Sequence, residues 1–246
     1  MPSAAGGSHP GRRAAAPDLD IAGVSVAEVT DDAHTRMVRD AYDTVATAYA
    51  DRFGGELAAK PIDRGLLAAF ADLVLADGGG QVADLGCGPG HVGAHLRSLG
   101  LDVFGVDLSP GMVAVARERH PGMRFDVGSM LALDLPDAGL AGACAFYSII
   151  HLPTDRLPAA FGELDRVLRP GARVILAFQV GDDEELRRRG EWLGHEDVEL
   201  RAWRRRPEHV AALLADAGIH AHATLVREPD AAEAVDRAYL LARKRP

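Results

Sequence analysis

The spacing of apolar positions changes along the chain, and each change marks an element. Met37, Tyr42, Val45, Tyr49 and Phe53 recur at helical spacing behind a start signal, Thr30-Asp31-Asp32. A second helix is expected from Pro61, a residue suited to a first helical turn, to Ala76, with Leu66, Leu67, Phe70, Leu73 and Val74 on its apolar face. Short apolar runs follow at Val82–Leu85, Leu101–Val106, Met123–Val127, Gly142–Tyr147 and Ala172–Val180. They alternate with helical stretches, the pattern of an α/β fold with parallel strands. Pro207–Gly218 reads as an amphipathic helix, and Ile219–Val226 and Ala238–Arg243 as two closing strands.

The pattern also divides the chain. Residues 1–20, rich in Ala, Gly, Pro and Ser, are expected to be a disordered tail, because they bury too little apolar surface to offset their ordering entropy. Residues 21–80 are expected to form a helical cap and 81–246 the core. Within the core, residues 181–206 form a variable insert expected to act as a substrate lid. Its acids Asp182 to Glu185 and its arginines Arg187 to Arg189 fit a charged helix face with i,i+4 pairs.

Composition narrows the function. A chain of 246 residues with 48% hydrophobic content fills one core. A net charge of -9 argues against a nucleic-acid surface, which needs clustered cations. The two cysteines, Cys87 and Cys144, lack metal-ligand spacing and read as reduced thiols. No apolar run reaches the roughly 20 residues of a membrane span, and the N-terminus shows no apolar signal segment. A cytoplasmic protein, monomer or homodimer, without membrane or nucleic-acid partners is expected.

The chemistry concentrates at Val82–Leu96. An apolar strand breaks into Gly86-Cys87-Gly88-Pro89-Gly90 and a helix follows, which brings backbone N–H groups and a helix N-terminus against a ligand. Gly88 to Gly93 also fits the dinucleotide pattern G-x-G-x-x-G, with Asp107 about 20 residues on. In that pattern, however, the first glycine follows the strand directly, a place Gly86 holds here. A buried acid, Asp84, precedes the turn. It would repel a pyrophosphate and accept bonds from an amino-bearing ligand.

Asp84-Leu85-Gly86-Cys87-Gly88-Pro89-Gly90 resembles motif I of the class I S-adenosylmethionine (SAM)-dependent methyltransferases. Asp107-Leu108-Ser109-Pro110-Gly111-Met112 resembles their motif II region, and Tyr147-Ser148-Ile149-Ile150-His151-Leu152-Pro153 their motif IV. Tyr42-Asp43 to Tyr49-Ala50-Asp51 resembles the N-terminal helix of small-molecule members, and Leu168-Arg169-Pro170-Gly171 a further signature. The resemblance implies a doubly wound, mostly parallel seven-stranded sheet with an antiparallel last strand. It also implies SAM as cofactor, with S-adenosylhomocysteine as product and no metal. Cofactor contacts would come from Tyr49, Asp84, Gly86, Cys87, Gly88, Gly90, Asp107, Leu108, Met112, Ser129, Met130 and Tyr147. Ser129 stands where the family usually carries an acid for the adenine amino group.

A histidine after the fourth strand sits where a proton acceptor for the methyl acceptor belongs. His151 is the expected base, with His195 and Tyr147 as further catalytic candidates. Trp192, His195 and Trp203 are expected to line the substrate pocket. The implied activity is methyl transfer to an O, N or electron-rich C atom of a small molecule, a secondary metabolite by family type. The alternatives are a non-catalytic SAM- or nucleotide-binding module and an NAD-dependent oxidoreductase.

Overall fold

The computed structural model describes residues 32–231 and 233–246. Thr30, Asp31 and the expected tail lie outside the described residues. Helix α1 (Ala33–Phe53) starts at Asp32, whose carboxylate accepts the Thr35 N–H at 2.7 Å. Helix α2 (Pro61–Ala76) follows. The alternation then runs β1 (Gln81–Leu85), α3 (His91–Ser98), β2 (Asp102–Asp107), α4 (Pro110–Arg119), β3 (Phe125–Val127), β4 (Leu140–Phe146), α5 (Leu157–Val167) and β5 (Leu168–Gln179). A two-stranded unit, β6 (Glu185–Trp192) and β7 (His195–Trp203), leads to α6 (Pro207–Asp216), β8 (Ile219–Arg227) and β9 (Arg237–Lys244).

The main sheet has seven strands in the order β3-β2-β1-β4-β5-β9-β8. Strands β1 to β5 are parallel, and β9 lies antiparallel between β5 and β8. This is the expected doubly wound sheet. Both faces of the central strands β1 and β4 are covered, which is why they read as continuous apolar runs, whereas the edge strand β8 is largely exposed. Along β5, Val174, Leu176 and Phe178 enter one layer with Phe161 and Leu164 of α5 and Val210 and Leu214 of α6. Ile175 and Ala177 enter the other with Leu67, Phe70 and Val74 of α2. Helix α2 is therefore a layer of the core, and α1 alone of the two long N-terminal helices covers the cleft described below. The strand order reverses between β1 and β4, and ligand crevices open at the carboxyl ends of such strands.

Residues 181–206 depart from expectation. They form a β-hairpin, not a helix with i,i+4 pairs. The charges satisfy the strand period instead: Arg187 reaches Glu185 on its own strand at 2.8 Å, and Arg189 reaches Glu199 across the ladder at 3.1 Å. Between them Val198 and Leu200 alternate inward onto Val38, Ala41 and Val45 of α1. Leu193 and Gly194, both at positive φ (52° and 81°), make the two-residue turn.

A buried polar cluster joins the N-terminal helices to the closing strands. Tyr239 donates to Asp63 at 2.8 Å, Arg227 donates to the Tyr239 hydroxyl at 2.9 Å, and Lys60 donates to Glu233 at 2.6 Å. Among the described residues no helix is long and apolar enough to cross a membrane.

Since Leu200 fills the seam between the hairpin and α1, Leu200→Ala should cost about 2–4 kcal/mol in denaturant unfolding. Hydrogen exchange should accelerate in β6 and β7 before it does in β4 or β5.

Candidate active site

The glycine turn after β1 is shaped by its neighbours. Gly86 has φ +69°, and a Cβ there would lie 2.3 Å from the Ser148 Cβ on the loop after β4. Only glycine lets the two strand ends pass so closely. At Gly88 (φ +52°) a Cβ would meet nothing within 4 Å, so the space beside the turn is open. Gly90 is not on the cavity wall; it begins α3 in the left-handed region and packs under the Phe125 ring.

Two buried carboxyl groups flank this space. Asp107 ends β2, and its oxygens accept the Gly88 N–H at 2.7 Å and the Ser109 N–H at 2.9 Å. Each oxygen keeps capacity for a further donor. Burial pushes the Asp107 carboxyl above its usual range despite those bonds. Asp84 lies within β1, and its Oδ2 has no hydrogen-bond partner. Burial, with the Asp107 charge adding, pushes its carboxyl up to about 7. Cys87 is buried, and its thiol is pushed well above the usual range, so it is an apolar wall and not a nucleophile.

These residues share one cavity of about 140 Å³. It is lined by Tyr49, Asp84, Gly86, Cys87, Gly88, Asp107, Leu108, Met112, Ser129 and Met130. The Ser129 hydroxyl accepts the Leu131 N–H at 3.2 Å, so it caps its own turn. The lining also includes His34, Thr35, Val38 and Tyr42 of α1, with His151 and Leu152.

His151 sits on the short 3-10 turn Ile149–His151. Its Nδ1–H donates to the Arg201 carbonyl at 2.8 Å, which leaves Nε2 to accept the Tyr42 hydroxyl at 2.7 Å. Burial pulls the imidazole down to about 4, below the ordinary histidine value that the sequence suggests, so the ring is neutral near pH 7. The His34 Nε2–H donates to the His151 carbonyl at 2.7 Å.

Two catalytic candidates are placed otherwise. Tyr147 lines the cavity, but its hydroxyl lies 2.9 Å from that of Tyr239 and 3.5 Å from Asp63, and burial raises its pKa further. It offers the cavity a ring, not a base. His195 closes the hairpin opposite Trp192, outside the cavity lining. Trp192 and Trp203 do not line the cavity either. Trp192 stands edge-on to Tyr42 and Tyr49, with ring centroids 5.7 and 6.0 Å away, and Trp203 meets His34 at 5.3 Å. The insert braces the site from behind because its inward face is taken up by α1.

The Tyr42-Asp43 pair carries more than sequence reasoning assigned to it. While Tyr42 holds His151, Asp43 accepts the Gly111 N–H at 2.8 Å and the Ser109 hydroxyl, capping α4 from α1. His34, Glu56 and His91 were also missed. His91 opens α3 with its Nε2 3.9 Å from Glu56, and burial lowers its pKa to about 4. Only the tyrosine–acid doublet left a signal in the sequence. Among the described residues no cluster of His, Cys, Asp or Glu is placed to hold a metal.

An antiparallel β9 in an otherwise parallel sheet, with an acid-flanked glycine turn at the β1–β4 switch, is the doubly wound α/β arrangement expected from the sequence. Residues 82–171 match the family model described as "Methyltransferase domain". The chain is 36% identical over 161 residues to a malonyl-[acyl-carrier protein] O-methyltransferase of Pectobacterium atrosepticum, covering 64% of this chain and 58% of that protein. A Serratia marcescens protein of the same description is 33% identical over 143 residues, covering 58% of this chain and 55% of that one. The chain thus spans little more than half the length of these curated relatives. The structure of Burkholderia thailandensis 1,6-didemethyltoxoflavin-N1-methyltransferase, solved with S-adenosylhomocysteine, superposes with a TM-score of 0.67 at 20% identity, covering 87% of this chain and 89% of that chain.

The Asp84 carboxyl carries a testable sign. Its folded pKa of about 7 lies above the ordinary value of 3.8, so the folded state holds the extra proton and loses stability as pH rises through that window. Asp84→Asn abolishes this titration. Its melting temperature relative to the wild type should therefore increase from pH 5 to pH 8, read in parallel thermal melts. A difference independent of pH would mean that Asp84 ionises normally.

Proposed function

We propose that this protein transfers the methyl group of SAM to a small-molecule acceptor bearing an O–H or N–H, without a metal. The observation that carries the proposal is the unpartnered Oδ2 of the buried Asp84 carboxyl beside an open glycine turn, in the same cavity as Asp107 and the Tyr42–His151 pair. A ligand with an amino group, a ribose diol and a flat base fits that donor set. Asp84 would take the amino group and Asp107 the two hydroxyls, while Leu108, Met112 and Met130 would flank the adenine and Tyr49 would cover the methionine end. SAM supplies a methyl already activated on a sulfonium, so the protein's tasks are alignment and proton removal. The O-methyltransferase descriptions of the relatives favour oxygen as the methylated atom. A secondary metabolite remains the expected acceptor type.

The proton path follows from the hydrogen bonds. His151 keeps its Nδ1–H on the Arg201 carbonyl and presents a bare Nε2 to Tyr42. As the acceptor atom gains a methyl, its proton passes to the Tyr42 oxygen and the Tyr42 proton passes to Nε2. The imidazolium so formed returns its proton to water after product leaves. A neutral imidazole of low basicity suffices, because a methylated, still protonated oxygen is strongly acidic.

Calorimetry should show SAM and S-adenosylhomocysteine binding, with NAD silent. Affinity should rise with pH through about 7, with a proton released on binding at pH 6, because Asp84 must ionise to meet the ammonium. Asp107→Ala should weaken binding by about 1–3 kcal/mol, and a bulky residue at Gly88 should abolish it. Tighter binding of NAD than of SAM would overturn the proposal.

With methyl-labelled SAM and an acceptor panel, His151→Ala should bind S-adenosylhomocysteine normally yet lose about 10²–10⁴-fold in kcat. The acid limb of the wild-type profile should fall near pH 4, where His151 protonates, and should vanish in the variant. Full activity in His151→Ala would remove His151 from the chemistry.

A further inference from the structure

Arg205 is fully buried at the junction of β7 and α6, and among the described residues no carboxylate pairs with it. Its guanidinium is directed at another segment. Nη2 donates to the Leu152 carbonyl and, at 3.4 Å, to that of Ile149, while Nη1 donates to the Thr154 hydroxyl at 3.1 Å. These groups belong to the 3-10 turn that bears His151 and to the residues directly after it. The root of the side chain is fixed as well. The Arg205 N–H donates to the Gln179 carbonyl at 2.9 Å, and its own carbonyl accepts the Gly181 N–H at 3.2 Å, at the end of β5.

The strand leading to Arg205 also reaches the imidazole: Arg201 of β7, four residues earlier, supplies the carbonyl that receives the His151 Nδ1–H. One segment therefore holds both the ring and the turn beneath it. Burial lowers the pKa of this guanidinium, the Asp183 charge offsets that only in part, and Nε has no partner, so an apolar side chain would fill the volume more cheaply. What arginine alone provides is a rigid fork of donors for several carbonyls of an irregular turn.

We infer that Arg205 is a positioning residue for His151, holding the 149–154 turn so that the bare Nε2 faces Tyr42 and the cavity. The 181–206 segment is then the support of the proton acceptor. The kinetic part of this inference rests on the proposed methyl transfer; the structural part does not.

The test uses the full chain and the variants R205M and R205K, each with and without H151A. Nitrogen-15 spectra of labelled histidine, assigned through H151A, report the tautomer. Wild type should show His151 protonated at Nδ1 alone, R205M a mixture of tautomers, and R205K a partial return. S-adenosylhomocysteine affinity should be unchanged throughout. R205M should lower kcat about tenfold or more, with KM little changed, yet should cost nothing further on the H151A background. An unchanged His151 spectrum in folded R205M overturns the inference, as does an equal loss of kcat with and without His151. If R205M does not fold, R205K is read by the same two criteria, with a partial tautomer shift expected and an unchanged spectrum overturning. If the wild type methylates no acceptor, the proposed function fails, and the spectra alone decide the inference.

Discussion

Two carboxyl groups buried in one cavity with no cation between them are the constraint on which the rest of this structure turns. Removing like charges from water is expensive, and proteins accept it where something else supplies compensation. For Asp107 the compensation is built in, through the Gly88 and Ser109 amides and the N-terminus of α4. For Asp84 it is partial: burial outweighs the Gly93 backbone hydrogen bond, and Oδ2 has no partner. The seven-stranded sheet, the two apolar layers and the glycine turn together provide the stability against which this cost is set.

Helix α1 is the second organising element, and its acids and tyrosines divide the work. Asp43 caps α4, Arg119 of α4 donates to the Ala50 carbonyl at 2.8 Å and to the Asp51 carboxylate, and Tyr42 holds His151. Val38, Ala41 and Val45 of α1 take Val198 and Leu200 of the hairpin. Thus α1 closes the cavity, fixes the helix behind Asp107 and seats the hairpin that in turn holds His151. A shift of this helix would be felt at both ends of the site.

How much of this was legible depended on sequence separation. The strand–glycine–helix unit around Gly86 and the acid at Asp107 are local patterns, and they stand where local reading put them. The alternation of strands and helices up to β5 was equally local, because buried parallel strands leave unbroken apolar runs. The hairpin escaped detection because its turn is Leu193-Gly194, without the Asn-Gly or Asp-Gly that usually marks one, and because its charges also fit a helix. The state of His151 was not readable at all, as its ring partners lie 109 and 50 residues away. The same holds for Tyr147: nothing near it in the chain shows that its hydroxyl belongs to Tyr239.

The place of β9 between β5 and β8 has a consequence for biosynthesis. The parallel half of the sheet can assemble as it leaves the ribosome, but β5 keeps an open edge until residues 237–244 have been made. In that interval β8, already synthesised, is without its native neighbour, and the exposed β5 edge is a template for wrong pairing with β8 or with another nascent chain. The Lys60, Asp63, Arg227 and Glu233 cluster is completed only when Tyr239 arrives to accept from Arg227 and donate to Asp63. Conditions that slow elongation late in the message would therefore bear on yield more than those acting early.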